Sequence, residues 1–180
     1  MKKWGILLLV GLAVSMYCCT LFLDDYQSVT IKGYEVTYPS FLSETDRLSE
    51  NADLQLQDVQ GDIYAVLRIS HWDSLRSNKP EEDLNDYFEF YLDNIYKELE
   101  GPIISGPDSL FTNGFEGIEG QLSGSYKGNQ LHHRITLLQD STYLFQFLQW
   151  APDPIWENKK EELSVMIDSL HASIKPENSN

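Results

Sequence analysis

The histidines of this sequence are its best candidates for acid–base chemistry or metal binding. His132 and His133 are adjacent in a segment predicted to be a strand, so their side chains point to opposite faces and cannot bind one ion together. His71 lies beside Trp72 and close to Asp73 at a predicted strand end, which makes it the better candidate. No ligand spacing typical of a zinc motif occurs, so no metal site is predicted.

Other catalytic motifs are missing from the sequence. Residues 120–124 read GQLSG, which places Ser123 at the wrong offset for a nucleophile elbow. Acidic pairs such as Glu81-Glu82 and Glu161-Glu162 are typical of solvated helix surfaces. No phosphate-binding glycine loop or calcium loop is present. The sequence therefore predicts no catalytic residues and no cofactor, and a hydrolase built on His71 and scattered acids is the least favoured hypothesis.

The first 23 residues have the pattern of an export signal. Lys2 and Lys3 precede an apolar run of 20 residues that ends at Leu23. Cys19 is placed for lipidation as in a bacterial lipoprotein, with Cys18 as the weaker candidate, although the small residue that usually precedes such a cysteine is absent. The alternative is an uncleaved transmembrane anchor, since about 20 apolar residues span a bilayer.

Either outcome predicts a cell-envelope protein whose remaining chain lies outside the cytoplasm, on the periplasmic face of the inner or outer membrane. Both cysteines fall in the N-terminal segment, so the rest of the chain has no disulfide available to it. The formal net charge of −15 disfavours nucleic acid as a partner, because an acidic surface repels phosphate backbones.

Hydrophobic patterning predicts six strand regions and two long helices. The first helix covers 78–100, with Asn78 as N-cap and Glu81 completing a capping box. The last helix starts with Asp153 as N-cap and Pro154 at the first helical position. Residues 103–114, which contain Gly, Pro and Asp, are predicted to form a loop, with room for one short extended piece. The strand regions are 29–38 (a hairpin or one bulged strand), 54–57, 63–70, 115–126, 131–138 and 142–150.

Consecutive strands joined by short turns indicate antiparallel pairing and an α+β fold. Residues 131–150 are apolar on both faces, which predicts that they lie in the middle of the sheet. We therefore expect a central antiparallel sheet of about six strands flanked by the two helices, an α/β/α sandwich. The predicted organisation is a signal or anchor segment at 1–23, a spacer at 24–28, one domain at 29–174 and a disordered tail at 175–180.

This layout resembles the PsbP-like fold, a group that includes the extrinsic PsbP subunit of photosystem II, Ran-binding Mog proteins and bacterial DcrB-like lipoproteins. The resemblance covers most of 29–174. It implies a sheet with helices on both faces and a non-enzymatic binding or assembly module, and it supplies no catalytic residues. It rests on Tyr34–Pro39 followed by Phe41, Leu54–Gln57, Ile63–Ser70, the helix around Tyr87–Ile95, Gly120–Tyr126, Tyr143–Trp150 and a last helix ending near Asp168–Leu170.

Three tryptophans lie near predicted element ends, where a rim or groove forms. Trp72, Trp150 and Trp156 are therefore candidates for a partner or ligand rim. The leading hypothesis is a membrane-tethered envelope lipoprotein that binds an unidentified envelope protein or assists an assembly. The alternative is a carrier that holds a small ligand in a groove near Trp72 and Trp150.

Overall fold

The computed structural model describes residues 25–77 and 83–173. The predicted N-terminal segment with Cys18 and Cys19, the caps predicted at Asn78 and Glu81, and the tail lie outside these residues. The described helices are α1 (Trp72–Arg76), α2 (Leu84–Tyr96) and α3 (Asp153–Asp168). The described strands are β1 (Tyr26–Ile31), β2 (Tyr34–Pro39), β3 (Ser43–Glu44), β4 (Leu54–Asp58), β5 (Ile63–His71), β6 (Glu100–Thr112), β7 (Phe115–Tyr126), β8 (Asn129–Gln139), β9 (Tyr143–Pro152) and β10 (His171–Ala172).

The main sheet has seven strands in the order β3-β4-β5-β9-β8-β7-β6. All of its neighbouring strands pair antiparallel, which confirms the α+β prediction. The prediction of about six strands in one sheet was wrong, because β6 extends the main sheet and β1, β2 and β10 form a separate one. The strands β8 and β9 lie near the middle of the main sheet, as their two apolar faces predicted.

The small sheet consists of β1, β2 and β10. β1 and β2 form a hairpin whose turn residues, Lys32 and Gly33, have φ values of 51° and 87°, as a type I′ turn requires. This resolves the choice between a hairpin and one bulged strand. Because β1 begins at Tyr26, it overlaps the predicted spacer at 24–28.

The two faces of the main sheet carry separate cores, because successive side chains of a strand alternate between faces. On the α3 face, α3 and the small sheet cover Phe145 and Phe147. On the α2 face, α2 packs Phe88 against Ile135 and Leu137. The prediction of a helix on each face is confirmed. α2 lies over β6, β7 and β8, however, so it does not cover the half of its face formed by β5 and β9.

The helix predicted at 78–100 is shorter in the structure. α2 begins at Leu84, because Asp83 accepts hydrogen bonds from the backbone N–H groups of Asn85 and Asp86 at 2.8 and 3.2 Å. The Asp86 carboxylate accepts the N–H of Asp83 at 2.9 Å, which completes a capping box. α1, which was not predicted, is a separate short helix that directly follows β5.

The prediction of a loop at 103–114 was also wrong, because most of these residues belong to the edge strand β6. Pro102 and Pro107 fall within the two register shifts of β6 against β7, where a missing N–H costs no ladder hydrogen bond. Their presence suggested a loop although the strand continues past them. Within residues 25–77 and 83–173, no helix is both long and apolar enough to cross a bilayer.

α3 begins at Asp153, with Pro152 rather than Asp153 in the N-cap position. Pro154 lies in its first turn, where a missing N–H costs no hydrogen bond. The predicted start of the helix was therefore displaced by one residue.

Candidate functional site

A groove crosses the part of the α2 face that α2 leaves uncovered. It lies over β5 and β9, between α1, α2 and the loop of residues 48–53. Two adjoining cavities form it, one of about 840 Å³ and one of about 290 Å³. The larger, which we call the polar cavity, is lined by residues that include Lys32, Asp53, Ser70 and His71. The smaller, which we call the apolar cavity, is lined mainly by Val66, Ile135, Leu137, Leu148 and Trp150.

Four polar residues line both cavities and mark the boundary between them: Asn51, Arg68, Tyr91 and Gln146. Arg68 on β5 and Gln146 on β9 are direct partners in the strand register, so their side chains emerge side by side on the α2 face. Tyr91 reaches the same point from α2. The sheet therefore supplies Arg68 and Gln146, and α2 supplies Tyr91.

A hydrogen-bonded network holds the boundary together. The Tyr91 hydroxyl donates to Oε1 of Gln146, and Nε2 of Gln146 donates to the Ser70 hydroxyl at 3.4 Å. The Arg68 guanidinium bonds to the Tyr91 hydroxyl. Burial raises the pKa of Tyr91 and outweighs the opposite effect of the Arg68 charge. The hydroxyl therefore stays neutral at physiological pH and remains a donor.

Arg68 brings a positive charge into the groove without an acidic partner. Within residues 25–77 and 83–173, no carboxylate lies within 4.0 Å of its guanidinium. Of the described residues that line the two cavities, Asp53 alone is acidic. Its carboxylate pairs with Nζ of Lys32 at 2.8 Å and accepts the N–H of Ile69 at 2.7 Å. The charge of Asp53 is thus offset by Lys32, whereas no described carboxylate offsets that of Arg68.

Trp150, which lines the apolar cavity, belongs to an aromatic row that runs across the sheet. The Trp150 ring stacks on Tyr64 at 5.3 Å and on His133 at 6.4 Å between ring centroids. These residues are partners across β5, β9 and β8. Burial lowers the pKa of His133 to about 4, so its imidazole is neutral at pH 7. This end of the groove is therefore apolar and uncharged.

The structure separates the three tryptophans predicted to form a rim. Trp150 is half-buried and lines the apolar cavity. Trp72 is only 4% exposed and belongs to the core on the α2 face, and Trp156 is 1% exposed in the core on the α3 face. The expectation that Trp72 and Trp156 form part of a rim was therefore wrong. Both rings are buried in the core instead of lining a groove.

His71 lines the polar cavity but serves a structural role there. Its Nδ1 accepts the backbone N–H of Asp73 at 3.1 Å and so caps α1. Among the described residues it has no hydrogen bond to a serine, so no nucleophile–base pair forms. His132 and His133 point to opposite faces as predicted, and His132 pairs with Asp153 at 2.8 Å on the α3 face.

No group of three or more potential metal ligands occurs in the described part of the chain. The groove instead combines hydrogen-bond donors, the Lys32–Asp53 ion pair, the Arg68 cation and an apolar recess. This arrangement is suited to binding a ligand.

No family model matches this chain, and no curated protein matches its sequence. Among solved structures, cyanobacterial PsbP (CyanoP) from Synechocystis sp. PCC 6803 superposes with a TM-score of 0.63 at 16% identity, over 83% of this chain and 94% of that one. This chain has a PsbP-like fold. LpqN of Mycobacterium tuberculosis, described as involved in cell envelope biogenesis, superposes with a TM-score of 0.57 at 15% identity, over 81% of this chain and 88% of that one. The resemblance stated from the sequence is thus confirmed at the level of the fold.

Sequence reasoning missed the residues at the boundary of the groove in this PsbP-like fold. Tyr91 was assigned to the apolar stripe of a helix, and Arg68 and Gln146 were treated as parts of strands. One signal was available for Arg68 and Gln146, which are polar residues in largely apolar strands. Such residues need a polar partner or an opening to solvent.

Proposed function

We propose that this protein is a non-enzymatic binding module, tethered to a membrane of the cell envelope, and that it binds its ligand in the groove on the α2 face. The observation that carries this proposal is the juxtaposition of an apolar cavity with Arg68, which has no carboxylate partner in the described part of the chain. The larger cavity, at about 840 Å³, lies within the usual size range of small-ligand sites. A small-ligand carrier therefore fits the geometry best.

The envelope assignment has two supports. The N-terminal segment carries the pattern of an export signal with Cys19 placed for lipidation. LpqN, which shares the fold, is described as involved in cell envelope biogenesis. Intact mass measurement of the membrane-extracted protein tests the tether: lipidation at Cys19 predicts loss of residues 1–18 and an added acyl mass. An uncleaved Met1 without acyl mass would instead support the retained anchor.

A second function, binding or assembly of another envelope protein, is favoured by β6. This strand forms one edge of the main sheet and is exposed along most of its 13 residues. Its side chains include Ile103 at 67% and Phe111 at 72% exposure. An exposed strand edge can accept a strand from a partner, because its outer N–H and C=O groups are unpaired.

Photo-crosslinking in the native host separates these functions. Benzoylphenylalanine would replace Phe90, which lines the polar cavity and is 59% exposed, or Phe111 on β6. Val59, an apolar residue that is 67% exposed and lines neither cavity, is the matched control. Groove binding predicts a discrete small-molecule adduct at position 90 alone. A discrete protein adduct at position 111 alone would support strand addition instead, and the same adducts at all three positions would contradict both proposals.

A further inference from the structure

The position of Arg68 identifies what kind of ligand the groove selects. Arg68 lies in the middle of β5, on the α2 face, between Val66 toward the apolar cavity and Ser70 toward the polar cavity. Arg68 is exposed, so its guanidinium is open to the solvent that fills the groove and is accessible to a ligand. Among residues 25–77 and 83–173, no carboxylate pairs with it.

The guanidinium keeps most of its hydrogen-bonding capacity for a ligand. It has five N–H donors, and within the described residues one of them is used on the Tyr91 hydroxyl. Tyr91 in turn donates to Gln146, so this network does not neutralise the Arg68 charge. The fork of an arginine matches two oxygens of one carboxylate or phosphate, and such paired bonds are the strongest that arginine forms.

The apolar cavity begins directly beside this cation. Arg68 lines both cavities, and the apolar one continues from it to Trp150. Its wall includes Val66 and Leu148 on the sheet. An aliphatic chain in this recess would remove apolar surface from water, at about 25 cal/mol per Å². The groove therefore offers one anionic subsite and one apolar subsite at adjacent positions.

We propose that the groove binds an amphiphile with an anionic head group, a carboxylate or a phosphate, on Arg68 and its aliphatic chain in the apolar cavity. This inference rests on the proposed function and specifies the ligand class of the same groove. A cationic amphiphile is repelled by Arg68. A neutral one would cover the guanidinium without giving it a counter-charge, which costs free energy.

Equilibrium dialysis tests the proposal with the full chain in phospholipid nanodiscs and with empty nanodiscs as background. The probes share one chain length and differ in the head: decanoate, decyl phosphate, decanol and decyltrimethylammonium. Decanoate or decyl phosphate should bind saturably, and the tighter of the two identifies the head-group chemistry. Arg68→Gln should weaken this binding about tenfold or more, because hydrogen bonds to charged groups contribute strongly.

Arg47→Gln is the matched control, because it makes the same change of net charge at an exposed residue that lines neither cavity. It should leave the affinity unchanged. Equal loss in both variants would overturn the role of Arg68, as would equal binding of decanol or decyltrimethylammonium. Absence of binding by every amphiphile would overturn the ligand class alone if position 90 still gives a discrete adduct in the host. If that adduct is also missing, the absence of amphiphile binding would overturn the groove as the binding site as well.

Discussion

The hydroxyl group of Tyr91 on α2 donates a hydrogen bond to Oε1 of Gln146 on β9, 55 residues further along the chain. This bond joins the helix to the sheet at the boundary between the two cavities. Gln146 is only 5% exposed, so its amide depends on partners within the protein. The width of the groove is therefore linked to the packing of α2 on the sheet.

Tyr91→Phe should lower the free energy of unfolding by about 1–3 kcal/mol, because it leaves the buried Gln146 carbonyl without its donor. Urea unfolding of the full chain measures this. Tyr96→Phe, at an exposed residue of the same helix, is the matched control and should change stability little. Equal effects of the two substitutions would contradict a stabilising role for the Tyr91–Gln146 bond.

The buried His133 predicts that the protein loses stability in mild acid. Its pKa is lowered to about 4, largely by burial, while that of an unfolded histidine is about 6.5. As the pH falls from about 6.5 to about 4, the unfolded state takes up the proton first, and folding loses up to about 3 kcal/mol. In His133→Leu, the free energy of unfolding should depend less on pH over this range. His171→Gln, at an exposed histidine, should leave the pH dependence unchanged. An unchanged slope in His133→Leu would show that other groups cause the acid sensitivity.

The close approach of α2 to β7 predicts that Gly120 does not tolerate a side chain. A Cβ atom there would lie 2.4 Å from Cζ of Phe88, which is 1% exposed. Gly120→Ala should therefore cost about 1–3 kcal/mol of stability through overpacking. Gly124→Ala, whose Cβ would meet Leu99 at 3.0 Å, should cost less. Thermal unfolding ranks the two, and a larger cost at Gly124 would contradict this packing.

On the opposite face of the sheet, hydrogen bonds from Arg134 hold α3 in place. Its buried guanidinium donates to the Ser164 hydroxyl at 2.8 Å and the Lys160 carbonyl at 3.2 Å, which fixes α3. Arg134→Met should cost about 2–3 kcal/mol, since hydrogen bonds of charged groups are lost. Lys160→Met removes an exposed ion pair with Glu157 and should cost less than about 1 kcal/mol. Decanoate binding should persist in both folded variants, and its loss would contradict a site on the α2 face.

Local sequence patterns predicted the layers of this fold well. The near-continuous apolar character of 131–150 identified strands with two apolar faces, which required a helix on each side. The same reasoning failed at β6, because Pro102 and Pro107 resemble loop signals yet fall at register shifts. Propensity describes single segments and does not show where a ladder tolerates proline.

The groove could not be predicted from local patterns, because it exists only where α2 fails to cover β5 and β9. That coverage depends on how the helix lies across the sheet, which no single segment encodes. Local patterns also misplaced Trp72 and Trp156, although Trp150 does line the apolar cavity. Trp72 and Trp156 lie near element ends in the sequence, but tertiary packing places their rings beneath helices.

Native mass spectrometry of the full chain, released from its host membrane within polymer-bounded lipid discs, tests the central claim most directly. The wild-type protein should retain a bound small molecule of defined mass. Val66→Phe, which fills the apolar cavity, should lose it, and Val59→Phe, the same change at an exposed residue away from the groove, should keep it. A wild-type protein that is uniformly free of ligand, or a ligand retained equally by both variants, would contradict a binding function for this groove.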